Sequence, residues 1–359
     1  MRHPRRAVRY ITVSALAALF AIVPAASAFA CGGLVTPNGT VSLLRTTTLA
    51  AYHRGVEHYV TGFSFAGADA TEVGSIVPLP GVPSDVIKGG DWTLQRLIIE
   101  TELNPNVGRA GAPESAAFAA DATVLFETQI DALDITVLEG GAVAVGNWAR
   151  EHGFFLPPDA PEVLEFYASR SPIFMAVRFN VERADDQGVQ EGQGTPVHVV
   201  IPTPNPWVPL RILGLGREAG EIVQADVYLL TDRRPATLPV AERSNGDLSQ
   251  PGIVQELSEP ASESLMTDLR SDRGMKWMPT SGMWLTHLRI NTPAEELTHD
   301  LAIDASGYDQ PDPIAAGFAL PIPDTGVRSI VWATLAGGVL VLLLVAAAAR
   351  RRVVGTPAI

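Results

Sequence analysis

Residues 41–65 read VSLLRTTTLAAYHRGVEHYVTGFSF, and this stretch indicates β structure. Val41 to Tyr52 and Val56 to Phe65 are rich in Thr, Val, Tyr and Phe, the residues that favour strands. His53-Arg54-Gly55 separates them, and a short break containing Gly predicts a hairpin. The chain therefore opens with antiparallel strands.

The same reading extends outward from this hairpin. A third strand is predicted at 72–79, and Pro80-Gly81-Val82-Pro83 ends it because proline lacks the amide donor. Further predicted strands cover 123–130, 135–138, 173–181, 197–201, 207–213, 222–230 and 284–290. Predicted helices cover 91–103, 142–151, 159–168 and 262–270. Asp159 is expected to be an N-cap.

Strands dominate and are not separated by regular helices. This order favours an α+β, β-rich fold with antiparallel sheets and a few short helices over a doubly wound sheet. The extracytoplasmic domain is predicted to span 31–304. Its length has room for two lobes. Residues 233–260 are polar and punctuated by Pro and Gly, as expected of a long excursion or a boundary between lobes.

The chain has 359 residues, 47% of them hydrophobic, and a net charge of −13. This composition excludes a disordered acidic tail. Seven arginines lie in 1–30 and 329–359, which hold no acid, so the part between them carries −20. Nucleic acid and anionic lipid surfaces are therefore not expected as partners of that part.

The N-terminus has the layout of a secretory signal peptide over 1–30. Four arginines precede an apolar run from Ile11 to Val23, and small residues end at Ala28-Phe29-Ala30. Such a site predicts cleavage after Ala30. A retained membrane anchor is the alternative, although the run is shorter than the roughly 20 residues needed to span a bilayer.

The C-terminus predicts one transmembrane helix. Residues 330–349 carry no charge, and Arg350 to Arg352 follow at once. A helix of that length is about 30 Å long, the thickness of the hydrocarbon core. Arginines gather on the cytoplasmic side, so 350–359 is predicted to be a cytoplasmic tail and 305–329 an outer Pro/Gly stalk. A buried core helix is the alternative.

Cys31 is the only cysteine, so it has no intrachain partner. An exported chain that begins with cysteine raises the possibility of lipidation. Ala28-Phe29-Ala30 instead favours a plain N-terminal thiol or an intermolecular one.

Ile322-Pro323-Asp324-Thr325-Gly326 precedes the apolar run. It resembles sortase signals, in which cleavage between Thr325 and Gly326 would join the chain to the cell wall. The alternatives are a retained span and an ordinary turn before a helix.

Several short motifs together resemble the bacterial domain-of-unknown-function family 2330. They are Cys31-Gly32-Gly33, Ile76-Val77-Pro78-Leu79-Pro80, Ile173-Phe174-Met175-Ala176-Val177-Arg178, Pro209-Leu210-Arg211-Ile212 and Leu285-Thr286-His287-Leu288-Arg289. The resemblance covers about 31–304 and implies an exported, often membrane-tethered protein. It supplies no reaction and no catalytic residue.

Two groups of residues are candidates for a functional site, namely possible metal ligands and tryptophans. His53, Glu57 and His58 flank the hairpin and are metal-ligand candidates, since zinc and copper need three or four such ligands. Acidic residues close to the stalk, namely Asp300, Asp304, Asp309 and Asp312, are candidate ligands for a calcium ion. No common catalytic or cofactor-binding motif occurs in the chain, and no cofactor is predicted.

The tryptophans are the second group of candidate functional residues. Trp92, Trp148, Trp207, Trp277 and Trp284 could line a groove, although most buried aromatics belong to a core. Trp277 and Trp284 lie in the densest group of Trp and Met, which predicts a partner-binding surface for an envelope protein.

The sequence thus predicts a single-pass cell-envelope protein with a non-enzymatic binding or structural ectodomain. The alternatives are an exported enzyme with a metal-assisted site and a wall-attached protein.

Overall fold

The predicted hairpin is present. In the computed structural model β2 spans Thr46–His53 and β3 spans Val56–Phe63. Arg54 and Gly55 join them with φ of 52° and 82°. Both are left-handed, as in the two-residue turns whose twist matches that of the flanking strands. The structure describes residues 33–35, 46–63, 72–101, 122–187, 195–243, 252–304, 308 and 310–318.

Strands outnumber helices throughout the described residues. The remaining strands are β1 (Gly33–Val35), β4 (Glu72–Leu79), β5 (Asp85–Lys88), β6 (Thr123–Ile130), β7 (Leu133–Glu139), β8 (Ile173–Asn180), β9 (Thr195–Pro202), β10 (Trp207–Val208), β11 (Ile222–Thr231), β12 (Ala236–Leu238), β13 (Glu242–Arg243), β14 (Ile253–Pro260), β15 (Trp284–Pro293) and β16 (Leu301–Asp304). The α-helices are α1 (Thr93–Thr101), α2 (Ala142–Glu151), α3 (Ala160–Ala168), α4 (Val181–Asp186) and α5 (Glu263–Ser271). Two 3₁₀ helices cover Arg211–Gly214 and Ala294–Glu296.

The hairpin lies in an eight-stranded sheet of order β13-β14-β15-β11-β2-β3-β9-β5. Its pairs are antiparallel except β11–β2 and β13–β14. A five-stranded antiparallel sheet has the order β1-β4-β8-β7-β6, and a three-stranded one the order β10-β16-β12. The β-rich α+β prediction with antiparallel sheets and few helices is confirmed for the described residues.

The eight-stranded sheet buries both faces, because successive side chains of a strand point to opposite sides. On one face Leu49, Val60 and Leu230 pack with Leu97 of α1 and Leu269 of α5. The other face belongs to a larger core that also contains the five-stranded sheet, α2 and α3. Each fully buried aliphatic side chain contributes about 1.5–3 kcal/mol, so these two cores hold the sheets in place.

A buried ion pair fixes α3 to the 3₁₀ helix that follows β10. Asp300 is fully buried and accepts bonds from Arg170 Nη2 at 2.6 Å and Tyr167 Oη at 2.8 Å. The amides of Leu210 and Arg211 donate to the same carboxylate. These contacts occupy Asp300, which the sequence had offered to a cation.

Two local predictions were wrong. Residues 207–213 form only the short β10 and then a 3₁₀ helix, and the polar stretch 233–260 contains β12, β13 and β14. Asp159 is the N-cap residue of α3 as predicted, but its side chain makes no capping hydrogen bond, because the residue has helical φ and ψ. Its carboxylate instead accepts from the amide of Gly216.

The domain also extends beyond 304. Residues 313–317 form turns, and Ala316 is fully buried in the large core although the sequence predicted a stalk there. The chain divides into two units, Met1–Phe318 and Ala319–Ile359, and the described residues all belong to the first.

Candidate functional site

A pocket of about 430 Å³ opens between α2 and strands β6, β7 and β8. Its volume falls within the range of small-molecule sites, roughly 300–1,000 Å³. The lining residues are Glu127, Thr128, Gln129, Asp134, Ile135, Thr136, Trp148, His152, Phe154, Ala176 and Arg178.

The floor of the pocket consists of two cross-strand rows on one face of the sheet. Gln129 pairs with Asp134, which pairs with Arg178. The next row consists of Glu127, Thr136 and Ala176. Directly opposed residues project from the same face, so the register of the three strands brings their side chains together.

The first row is held by hydrogen bonds and charge. Gln129 Nε2 donates to Asp134 Oδ1 at 3.2 Å. Arg183 Nη2 donates to the same oxygen at 2.8 Å, and Arg178 Nη2 lies 3.9 Å from Asp134 Oδ2. Two guanidinium groups thus offset the charge of Asp134, whereas Glu127 forms no ion pair with any described residue.

The wall of the pocket is aromatic and comes from the end of α2. Trp148 and His152 are four residues apart on this helix, the spacing that stacks side chains on one face. Their rings stack with centroids 4.1 Å apart and planes 17° apart, and His152 Nδ1 lies 2.8 Å from the carbonyl oxygen of Trp148. Phe154 adds a third ring, whose centroid lies 5.8 Å from that of the Trp148 ring.

One polar atom in this wall has no partner among the described residues. Trp148 is 7% exposed, and its Nε1 is buried without a hydrogen-bond acceptor. Buried polar groups nearly always have a partner, so an orphaned donor at a pocket wall needs an explanation. The wall and the floor together offer hydrogen-bond donors, acceptors and ring faces to one bound molecule.

The sequence pointed to this pocket only through Trp148. Its other lining residues lie on three strands and one helix that are separated by loops, so no motif joins them. The remaining signal was the alternation in β6, where the polar residues Glu127 and Gln129 occupy alternate positions and so project from the same face of the strand.

The three proposed metal ligands do not converge. Glu57 and His58 are consecutive on β3 and project from opposite faces of the sheet. His53 Nδ1 lies 2.6 Å from Asp232 Oδ1. Within the described residues no group of three or more His, Cys, Asp or Glu side chains could hold a metal ion.

His58 contacts a histidine that the sequence did not associate with it. Its Nδ1 lies 2.9 Å from Nε2 of His198, and its ring stacks on Trp277 with centroids 3.5 Å apart and planes 2° apart. Burial is the main cause that lowers the pKa of His58 to about 3 and that of His198 to about 4. The pair is therefore neutral at pH 7.

Glu57 projects from the other face of the sheet. It is fully buried, and neither carboxylate oxygen has a hydrogen-bond partner in the described residues. Burial raises its pKa to about 8, and the nearby Trp207 backbone offsets part of the rise. The folded protein therefore carries Glu57 largely protonated at pH 7.

The predicted partner surface is mostly internal. Met275, Met278 and Met283 are buried in the core beneath α1 and α5, and Trp277 packs against that core. Trp284 is half-buried, and its Nε1 donates to Ser258 Oγ at 2.8 Å. Partner binding through Trp277 and Trp284 stays a prediction.

The remaining sequence predictions concern the two ends. Ala30, Cys31, Thr325 and Gly326 lie outside the described residues, as do the predicted signal peptide 1–30, the transmembrane helix 330–349 and the tail 350–359. Among the helices that the structure does describe, none combines the length and the apolarity needed to cross a membrane.

Fold and pocket together define a β-rich α+β protein with a ligand-sized cleft of mixed polar and aromatic character. Residues 24–251 match the family model described as an uncharacterized protein conserved in bacteria, DUF2330. The chain belongs to this family. The match confirms the resemblance noted in the sequence and ends before the motif at Leu285 to Arg289.

No protein with a curated description matches the chain. Among solved structures, the chain is similar to baculovirus P35 with 11% identity and a TM-score of 0.32, covering 53% of this chain and 64% of that one, which is less than two thirds. A mutated baculovirus P35 after caspase cleavage gives 10% identity, a TM-score of 0.34 and coverage of 72% and 99%. The caspase-8/P35 complex gives 8% identity, a TM-score of 0.34 and coverage of 74% of this chain and 96% of that one. Similarity at this level assigns neither a fold nor a function.

Proposed function

We propose that the protein is a single-pass protein of the bacterial cell envelope whose outer domain binds a ligand, without catalysis, in the pocket between α2 and β6–β8. The observation that carries the proposal is the pocket itself, where an aromatic wall faces a floor of polar side chains. Small-molecule sites combine apolar walls with a few placed polar groups in this way.

The location of the domain is supported by the two ends of the sequence. A basic segment, an apolar run and Ala28-Phe29-Ala30 favour export, and the uncharged run 330–349 before three arginines favours a retained span. The intact mass of the chain extracted from membrane and wall fractions tests both ends at once. We expect a species from unmodified Cys31 to Ile359. A species ending at Thr325 with a wall fragment would contradict the retained span, and an acylated Cys31 would contradict the plain N-terminus.

The pocket is tested by filling it. Thr136 is half-buried on the floor, so Thr136→Phe places a ring in the cavity. Thr237→Phe is the matched control, because Thr237 is also half-buried on a strand but does not line the pocket. A panel of small polar molecules is screened by thermal unfolding of the full-length chain. A ligand at 100 times its Kd stabilises the native state by about 3 kcal/mol.

We expect the stabilising compounds to lose their effect on Thr136→Phe and to keep it on Thr237→Phe. Stabilisation that is equal in the two variants would place binding elsewhere, and a panel without any stabilising compound would count against a binding function of this pocket.

A further inference from the structure

We propose that the pocket binds an uncharged saccharide ring, as part of a glycan outside the membrane. This inference rests on the proposed function and names the ligand class of the same site. Three features of the pocket carry it, namely its two kinds of surface, its charge balance and its size.

The first feature is the placement of polar and aromatic groups on different sides. The floor presents the planar polar ends of Gln129, Asp134 and Arg178 in one row. The wall presents the stacked rings of Trp148 and His152. A pyranose ring has the complementary design, because its C–H groups form apolar faces that pack on aromatic rings while its hydroxyls project around the rim. Hydroxyls both donate and accept, so they match an amide, a carboxylate and a guanidinium together.

The second feature is the charge of the lining. Asp134 is held between Arg183 and Arg178. Glu127 supplies a second carboxylate, so two guanidinium groups face two carboxylates and this part of the pocket carries no net charge. An anionic ligand would have to compete with Asp134 for these guanidinium groups, and it would also meet the Glu127 carboxylate. A cation would find only Glu127, which is exposed and therefore well screened. The lining thus favours an uncharged molecule rich in hydrogen-bonding groups.

The third feature is the size of the pocket and its unsatisfied donor. A volume of about 430 Å³ lies toward the lower end of the range for ligand sites and suits one or two sugar rings. Trp148 Nε1 is buried, has no acceptor among the described residues and belongs to a residue that lines the pocket. A small shift of the indole on binding would bring this donor to a ligand oxygen.

The test measures binding of defined trisaccharides to the full-length chain, purified in a zwitterionic detergent that has no sugar headgroup. The uncharged probes are cellotriose, maltotriose and the trimer of N-acetylglucosamine. The charged probes are the trimer of glucosamine, which is cationic, and trigalacturonate, which is anionic. The two glucosamine trimers share one backbone, and N-acetylation removes the charge of the amines, so they compare a cationic and an uncharged ligand on the same backbone.

Two substitutions probe the two sides of the pocket, each with a matched control. Gln129→Ala removes a polar group from the floor, and Gln224→Ala removes the same group from β11, outside the pocket. His152→Ala removes a stacked ring from the wall, and His299→Ala removes one stacked on Phe318 elsewhere. We expect at least one uncharged trisaccharide to bind, and its Kd to rise about fivefold or more in each pocket variant and less than twofold in the controls.

The other outcomes separate this inference from the proposed function. If only a charged trimer binds, and the pocket variants weaken it, the uncharged-saccharide inference is overturned while the pocket remains a binding site. If trisaccharides bind equally to the pocket variants and the controls, the saccharide site lies elsewhere and this inference fails. If no trisaccharide binds while other compounds still lose their effect on Thr136→Phe, the ligand class is wrong and the binding function stands.

Discussion

Replacing Glu57 by glutamine should make the protein more stable at neutral and alkaline pH. The carboxyl is fully buried, and its pKa is raised from 4.5 to about 8 by loss of solvation. The folded state therefore holds a proton that the unfolded chain releases above pH 4.5. The contribution of this proton to stability is fully present below pH 4.5, decreases as the pH rises from 4.5 to 8, and is lost above pH 8.

The size of the effect follows from the shift. One pKa unit corresponds to about 1.36 kcal/mol, so the complete loss is about 5 kcal/mol, of which about 3 to 4 kcal/mol falls between pH 5 and pH 8. Glutamine has nearly the same shape and does not titrate. The Glu57→Gln chain should therefore lack this loss.

The assay is urea unfolding of the full-length chain at half-unit steps from pH 5 to pH 9. The free energy of unfolding of the wild type should fall relative to that of Glu57→Gln by about 3 to 4 kcal/mol between pH 5 and pH 8. Glu165→Gln is the control, because Glu165 is exposed on α3, and it should follow the wild type. Wild-type and Glu57→Gln curves that stay parallel over this range would refute the burial argument.

Three further outcomes are expected. The folded state keeps the His58–His198 pair neutral, so its contribution to stability is present above pH 6.5 and is lost as the pH falls toward 3 to 4. In urea unfolding, the free energy of unfolding of a His198→Phe chain should therefore fall less than that of the wild type between pH 6.5 and pH 4.5. Asp300→Ala should cost about 3–5 kcal/mol because it leaves a buried guanidinium unpaired, and a loss under 1 kcal/mol would contradict that role. Gly90→Ala should cost about 1–3 kcal/mol, since a Cβ there would lie 2.2 Å from a carboxylate oxygen, whereas Gly141→Ala, with open space around it, should leave the melting temperature within a few degrees of wild type.

Much of the local structure could be predicted from the sequence. The hairpin at Arg54-Gly55, the strand at 72–79 and the helix at 142–151 were predicted at or close to their observed bounds. Each depends on residues within a few positions, since periodicity and turn chemistry act locally. The errors arose where tertiary contacts override a local preference. The side chain of Asp159, for example, accepts a hydrogen bond from the amide of Gly216, 57 residues further along the chain, and makes no capping bond within α3.

The candidate site was harder to predict, because sequence proximity and spatial proximity differ. His53, Glu57 and His58 are close in sequence but face different sides of one sheet. His58 contacts His198, 140 residues away. The reason is strand alternation, which separates neighbours in sequence and places residues from other strands side by side.

The sequence alone predicts the β-rich class, the bounds of many elements, the family and an exported, tethered chain. These follow from composition, period and short motifs, which a linear chain carries in full. The folded structure was needed to show that residues of β6, β7, β8 and α2 meet around one pocket and that the Met-rich segment is core. It also shows that Glu57 is buried, with neither carboxylate oxygen hydrogen-bonded to any residue that the structure describes. Register between distant strands and the water excluded by packing produce these features, and both arise only when the sheets assemble.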